Sequence, residues 1–179
     1  MINIFVQGVI LGLVISITVG PAFFALIQTG ISRGFRSGLF LALGIILSDI
    51  TLILLTFIGA SALFENNSDS YYNLYLGIGG GALLIAFGAV TFSRKPDAFK
   101  RRNPKYTTPV KEPKPLTFVL KGYFMNIVNP FLIFFWIAAM SWVRTNAPDG
   151  QLLNYSLTFF SGTVIVVFIL DMLKCFIGN

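Results

Sequence analysis

Five long apolar stretches with almost no charged residues dominate this 179-residue sequence. A bilayer core about 30 Å thick needs about 20 apolar residues per helix, and each stretch reaches that length. Because each one is apolar on all faces and longer than a strand, the sequence predicts an all-α, polytopic membrane helix bundle. The five predicted spans are Ile4 to Gln28, Gly38 to Leu63, Tyr71 to Phe92, Phe118 to Val143 and Leu152 to Leu173.

The composition agrees with a membrane protein and excludes several kinds of chemistry. Charged residues make up 11% of the chain, whereas soluble domains carry roughly a quarter. There is no His, and Cys175 is the one cysteine. We therefore expect no enzyme activity, no metal site and no cofactor, because the usual ligand sets and nucleophile pairs are missing. We also expect no nucleic-acid partner, since orientation in the lipid bilayer explains the net charge of +6.

The basic residues concentrate in two alternate loops of the predicted topology. Of the 13 Lys and Arg side chains, two lie in residues 29–37 and eight in residues 93–117. The positive-inside rule places both segments in the cytoplasm and the N-terminus outside. The second segment is rich in Pro, which indicates a linker. It separates a first membrane half, residues 1–92, from a second half, residues 118–179.

Two prolines interrupt predicted spans, at Gly20-Pro21 and at Asn129-Pro130, with Asn126 just before the second. A Pro removes a backbone hydrogen bond, and freed polar groups at membrane depth are tolerated where protein or a wet cavity satisfies them. Either Pro alone is equally well explained as a kink that shapes the bundle. Both together, each in the first helix of its half and in helices that cross in opposite directions, favour an inverted repeat with a binding site at the breaks.

Asp49 lies about 16 Å along the second predicted span at 1.5 Å per residue, near the middle of the bilayer. An ionisable residue at that depth is a functional candidate by default, because it is costly to place there. We expect it to exchange a proton or to meet a cationic group during transport. The alternative is a structural Asp that is neutralised by Ser48, by Thr51 or by the freed carbonyls of the first helix. Asp171, followed by Lys174 at i+3 near the end of the fifth span, is interpreted as structural and close to water.

Small residues recur every fourth position in the first span, at Gly8, Gly12, Ser16 and Gly20. This spacing predicts close helix packing. It also leaves a homodimer open, and with it a second class of function: a membrane scaffold or assembly protein that binds partner helices and transports nothing.

Two segments resemble the LysE/RhtB family of amino-acid exporters. The first comprises Val19-Gly20-Pro21, the run from Gly30 to Gly38, and Asp49; the second is Lys121 to Pro130. The resemblance implies a six-helix, three-plus-three fold in the bacterial inner membrane and export of amino acids or similar small metabolites, driven by the proton gradient. It also implies that Asp49 and the two breaks form the transport path. Since a sixth helix would have to follow residue 173, we expect a short second half or a truncated chain.

Overall fold

The computed structural model describes residues 1–18, 20–66 and 114–177, and the side chains of these residues except 60–66. This part of the chain is helical and has no strand, which confirms the predicted fold class. The helices are α1 (Ile2–Ile17), α2 (Pro21–Asn66), α3 (Pro115–Ile127), α4 (Pro130–Asn146) and α5 (Leu152–Ile177). The predicted third span and most of the basic linker lie outside the described residues.

Two of the described helices are long and apolar enough to cross a membrane, namely residues Pro21–Gly59 of α2 and the whole of α5. Helices α3 and α4 pass the same test only as a pair, which is bent by 68°. Helix α1 is apolar but has only 16 residues. Large apolar side chains such as Val14 and Leu157 are exposed on the outside, as a lipid-facing surface requires. The described helices therefore form a membrane bundle with two or three candidate spans.

The predicted first span, Ile4 to Gln28, consists of two helices rather than one. Helix α1 ends at Ile17, and Thr18 has extended backbone angles, φ −64° and ψ 119°. Helix α2 begins at Pro21, a residue favoured at the first helical position because its missing N–H would have no intrahelical partner there. The proline separates two helices instead of kinking a single one.

In the structure, the predicted loop at residues 29–37 is helical except for one residue. Both 21–33 and 35–66 are helical, and only Gly34 departs, with φ 80° and ψ 167°, a conformation that is essentially restricted to glycine. Gly30 and Gly38 both face Cys175 of α5, although a straight helix would hold them about 12 Å apart. The two arms of α2 therefore fold toward each other around Cys175.

The predicted fourth span, Phe118 to Val143, is also broken. Helix α3 ends at Ile127, and Asn129 has extended angles, φ −78° and ψ 109°, as expected for a residue before proline. The Oδ1 atom of Asn129 accepts a hydrogen bond from the backbone N–H of Phe131 at 3.2 Å, which caps α4. Pro130 then takes the first position of α4.

Helix α1 packs along α5 through its stripe of small residues. The buried residues of α1 are Gly8, Gly12 and Ser16. A Cβ on Gly8 would collide with the backbone carbonyl of Phe159, and the Oγ1 atom of Thr163 donates to the carbonyl of Gly8 at 2.9 Å. Gly12 approaches the backbone of Thr163 in the same way, so the packing role predicted for this stripe is confirmed at Gly8 and Gly12. Gly20 takes no part, since a Cβ built there would meet no atom of the described ranges within 4 Å.

Two apolar clusters hold the other helices together, within a compact unit formed by Met1–Ala62 and Lys114–Asn179. The first cluster joins α2, α4 and α5 around the fully buried Trp136. The second joins both arms of α2 with α3 and the end of α5. Its buried members are Ala25, Leu26, Leu41, Ala42, Ile45, Phe118 and Cys175.

Candidate transport site

A cavity with about 530 Å³ of empty space, part of it open to the outside, borders both helix breaks. Its wall includes the end of α1, the first turn of α2, the middle of α2, both sides of the α3–α4 break and the last third of α5. Ile45 of the second apolar cluster and Leu132 of the first both line it. The cavity therefore lies where the two clusters meet.

Five of the six residues predicted to form the transport path line this cavity: Gly20, Pro21, Asp49, Asn126 and Asn129. The sixth, Pro130, is not in the wall, although it directly follows Asn129 as the first residue of α4. Residues that lie far apart in the sequence are thus brought to one place.

Asp49 is held by donors from both helices that flank the second break. This residue is almost completely buried, at 4% exposed. The Oδ1 atom accepts hydrogen bonds from Nδ2 of Asn126 in α3, at 2.8 Å, and from Nε1 of Trp136 in α4, at 3.2 Å. The break lets two separate helices converge on one carboxylate oxygen.

Asn126 connects Asp49 to the backbone of α2. It is 2% exposed, and its Nδ2 atom also lies 2.8 Å from Oγ of Ser48 and 3.3 Å from the carbonyl of Ile45. Thr51 instead donates to the carbonyl of Leu47 at 2.8 Å. The alternative in which Ser48 or Thr51 neutralises Asp49 does not match the described residues, because the donors to Asp49 among them come from α3 and α4.

Trp136 is a site residue that the sequence reasoning missed. It reads as one more apolar residue in a long apolar stretch. However, a buried indole N–H usually requires an acceptor, and an apolar span offers few. A tryptophan in the middle of a span, together with an unpaired Asp in another span, was the signal that could have identified this contact.

Asp171 and Lys174 form an ion pair in the wall of the same cavity. Their Oδ1 and Nζ atoms are 2.7 Å apart, which confirms the pairing expected from their spacing. Asp171 is only 3% exposed, so the expectation that it lies close to water is wrong. The reason is that α5 continues to Ile177 and packs against both arms of α2 around Cys175. The Lys174 ammonium also lies 5.5 Å from the centre of the Phe23 ring, within range of a cation–π contact.

The described ranges contain no group of three or more His, Cys, Asp or Glu side chains that could hold a metal ion. The charged groups identified in the cavity wall are Asp49, Asp171 and Lys174. Such a set suits ligands that carry their own charges.

The chain matches known proteins in two sequence comparisons. The family described as LysE type translocator matches residues 13–179, which include both breaks and every cavity residue discussed above. A protein of Bacillus subtilis (strain 168) with the name "Putative amino acid efflux protein YcgF" is 25% identical over 169 residues, which cover 94% of this chain and 77% of that protein. No solved structure matches the chain. The chain therefore belongs to the LysE type translocator family, whose members are membrane transporters and not enzymes.

Proposed function

We propose that this chain exports amino acids or similar small metabolites through the cavity between its two helix breaks, as a proton-coupled secondary transporter. Membership of the translocator family supports a transport role, and the similar Bacillus protein is named for amino acid efflux. The observation that carries the proposal is the convergence of both breaks and the buried carboxylate of Asp49 on one cavity.

The charges around the cavity suit a zwitterion. Helices α2 and α4 both begin at its wall, at Pro21 and next to Asn129. A helix N-terminus carries a partial positive charge, which favours a carboxylate, and broken transporter helices use their ends in this way. Asp49 supplies a negative group for an ammonium. An amino acid carries both complementary charges on neighbouring atoms.

Asp49 is the group that we assign to proton coupling. Its two donors, the amide of Asn126 and the indole of Trp136, are neutral. Asp171, by contrast, is paired with the ammonium of Lys174. A buried carboxyl held by neutral donors can alternate between its charged and protonated forms without breaking an ion pair, which is what a proton-coupled cycle needs.

We infer that the chain lies in a bacterial inner membrane, with residues 29–37 and 93–117 in the cytoplasm and the N-terminus outside. The distribution of Lys and Arg supports this orientation. We also propose that residues 1–92 and 118–179 are inverted halves, because each contains one Pro-centred break and both breaks border the same cavity. A homodimer remains a prediction.

The test compares cells that express the parent chain, the Asp49→Asn variant or an empty vector, by measuring extracellular amino acids and other small metabolites. We expect one or a few amino acids to rise with the parent chain and to fall to the empty-vector level with Asp49→Asn. The matched control is Asp149→Asn, because Asp149 is exposed in the turn before α5. It should export as the parent chain does.

Two results would contradict the proposal. One is the absence of any exported amino acid at normal membrane levels of the parent chain. The other is full export by Asp49→Asn, which would remove Asp49 from the mechanism. The rival scaffold function needs stripes of small residues that are free for a partner helix. Gly8 and Gly12 of the α1 stripe are covered by α5, and the glycines of the predicted third span lie outside the described residues.

A further inference from the structure

We propose that Lys174 binds the carboxylate of the transported amino acid, that the hydroxyl of Ser16 is a second contact, and that Asp171 holds Lys174 in position while the cavity is empty. This inference rests on the proposed function and deepens it, because it names the side chains that recognise the substrate's carboxylate.

The first observation is the position of the Asp171–Lys174 pair. Both side chains line the cavity, and they are only 5% and 15% exposed. A buried ion pair is a weak source of stability, because desolvation offsets most of the attraction. An ammonium has three N–H donors, and within the described residues Lys174 uses one of them on Asp171. Donors therefore remain for a ligand.

The second observation is independent and concerns Ser16. Its side chain is 5% exposed and lines the cavity, and its Oγ atom has no hydrogen-bond partner in the part of the chain that the structure describes. A buried hydroxyl without a partner carries a desolvation penalty. A carboxylate oxygen of a ligand in the cavity would relieve it. Ser16 thus places a donor on α1, in the same wall as the ammonium on α5.

The net charge of an α-amino acid also fits this arrangement. When its carboxylate binds Lys174, its ammonium enters a cavity that contains the carboxylates of Asp171 and Asp49. One internal ion pair is exchanged for contacts to both ends of the substrate, and the cavity gains no net charge. An amine without a carboxylate would leave Lys174 on Asp171 and would offer no acceptor to the hydroxyl proton of Ser16.

The experiment measures binding to the purified full chain in detergent by ligand-dependent thermal stabilisation. The probes are the twenty common L-amino acids and their C-terminal amides, which keep the side chain and the amino group but lack the carboxylate. We expect the parent chain to prefer the acid over the amide of the amino acid that it binds best. Lys174→Gln should lower this acid-to-amide preference about 10- to 100-fold, the range for losing a hydrogen bond to a charged group.

Two variants control for charge and for folding. Lys121→Gln removes an exposed lysine of α3 and should leave the preference unchanged. Because Lys174→Gln leaves Asp171 buried without its partner, the double variant Lys174→Gln/Asp171→Asn removes both charges, and it should also lose the preference. If either Lys174 variant binds the acid with the parental preference, the proposal is wrong.

A matched serine pair tests the second contact. Ser16 and Ser156 are both buried, and neither Oγ atom has a partner among the described residues, but only Ser16 lines the cavity. Ser16→Ala should weaken amino-acid binding about 3- to 10-fold, whereas Ser156→Ala should not change it. Equal effects of the two substitutions would exclude Ser16 as a contact.

The outcomes separate this inference from the proposed function. If the parent chain exports an amino acid but binds its acid and amide equally well, only the carboxylate site is overturned. If the parent chain neither binds nor exports any of the twenty amino acids, the proposed function fails and this inference fails with it.

Discussion

The two helix breaks border the same cavity, yet they are built differently. At the second break, side chains supply hydrogen bonds: Asn129 caps α4, and Asn126 donates to the carboxylate of Asp49. At the first break, Gly20 has no side chain with which to cap α2, and a Cβ placed on it would lie more than 4 Å from the part of the chain that the structure describes. The second break is thus fixed by specific hydrogen bonds, while the first leaves open space at the start of a helix. The second break therefore holds Asp49 in place, whereas the first borders the cavity without a capping side chain at Gly20.

The largest expected effect comes from separating the helices that support the second break. A Cβ on Gly44 would collide with the backbone carbonyl of Val119 in α3, and a backbone atom cannot move aside cheaply. Gly44→Ala should therefore destabilise the protein by about 3 kcal/mol, the upper part of the usual range for overpacking. The change is measured by adding a denaturing detergent stepwise to the protein in mild-detergent micelles and following its unfolding.

Gly59→Ala is the control in the same helix, since a Cβ there would meet none of the described residues within 4 Å. It should stabilise the protein by roughly 0.5–1 kcal/mol, as alanine does in a helix. Equal stabilities of the two variants would mean that α2 and α3 do not cross closely at Gly44.

The next effect is the loss of the amide that links α3 to α2. Asn126→Ala removes the donor to Asp49 and to Ser48 and leaves these buried groups short of a partner. We expect a loss of about 2 kcal/mol of stability, together with loss of export. The same unfolding titration and the metabolite assay check both results.

Asn146→Ala removes an amide that donates to the carbonyl of Trp142 at an exposed position. It should leave both stability and export close to the parent values. Retention of full export by Asn126→Ala would show that the α3 donor is not needed to orient Asp49.

A smaller effect is expected from the cap of α4. Asn129→Ala removes the acceptor for the N–H of Phe131 and should cost about 1 kcal/mol. Asn129→Ser retains an acceptor oxygen without adding a charge to the cavity wall and should recover most of that stability. If the serine variant is no more stable than the alanine variant, capping is not the role of Asn129.

The smallest effect should appear when the first break is given a cap like the second. Gly20→Asn places an amide in open space before α2 and should stabilise the protein by a few tenths of a kcal/mol, the usual difference between Gly and Asn at this position. Gly20→Ala, which has no capping oxygen, should not gain this. A clear loss of stability in both variants would show that the first break has no free space.

The amino-acid sequence by itself determined the features that depend on local chemistry. Apolar length predicts the regions of α2 and α5 that are able to span a membrane, because the bilayer requires that length whatever the neighbours are. Pro21 and Pro130 mark both breaks, because a proline disrupts the preceding turn in any context. Asp49 was predicted as a functional residue because a carboxylate in an apolar stretch is costly.

Only the tertiary structure decided which groups meet. The contact of Trp136 with Asp49, the burial of Asp171 and the unpartnered hydroxyl of Ser16 all depend on how each helix is rotated about its axis. In spans that are apolar on every face, the sequence pattern does not reveal that rotation. It is set by packing between distant segments, such as the close approach of Gly8 to α5 and of Gly44 to α3. For this reason five of the six residues predicted from the sequence line the cavity, but the contacts that connect them could not be predicted.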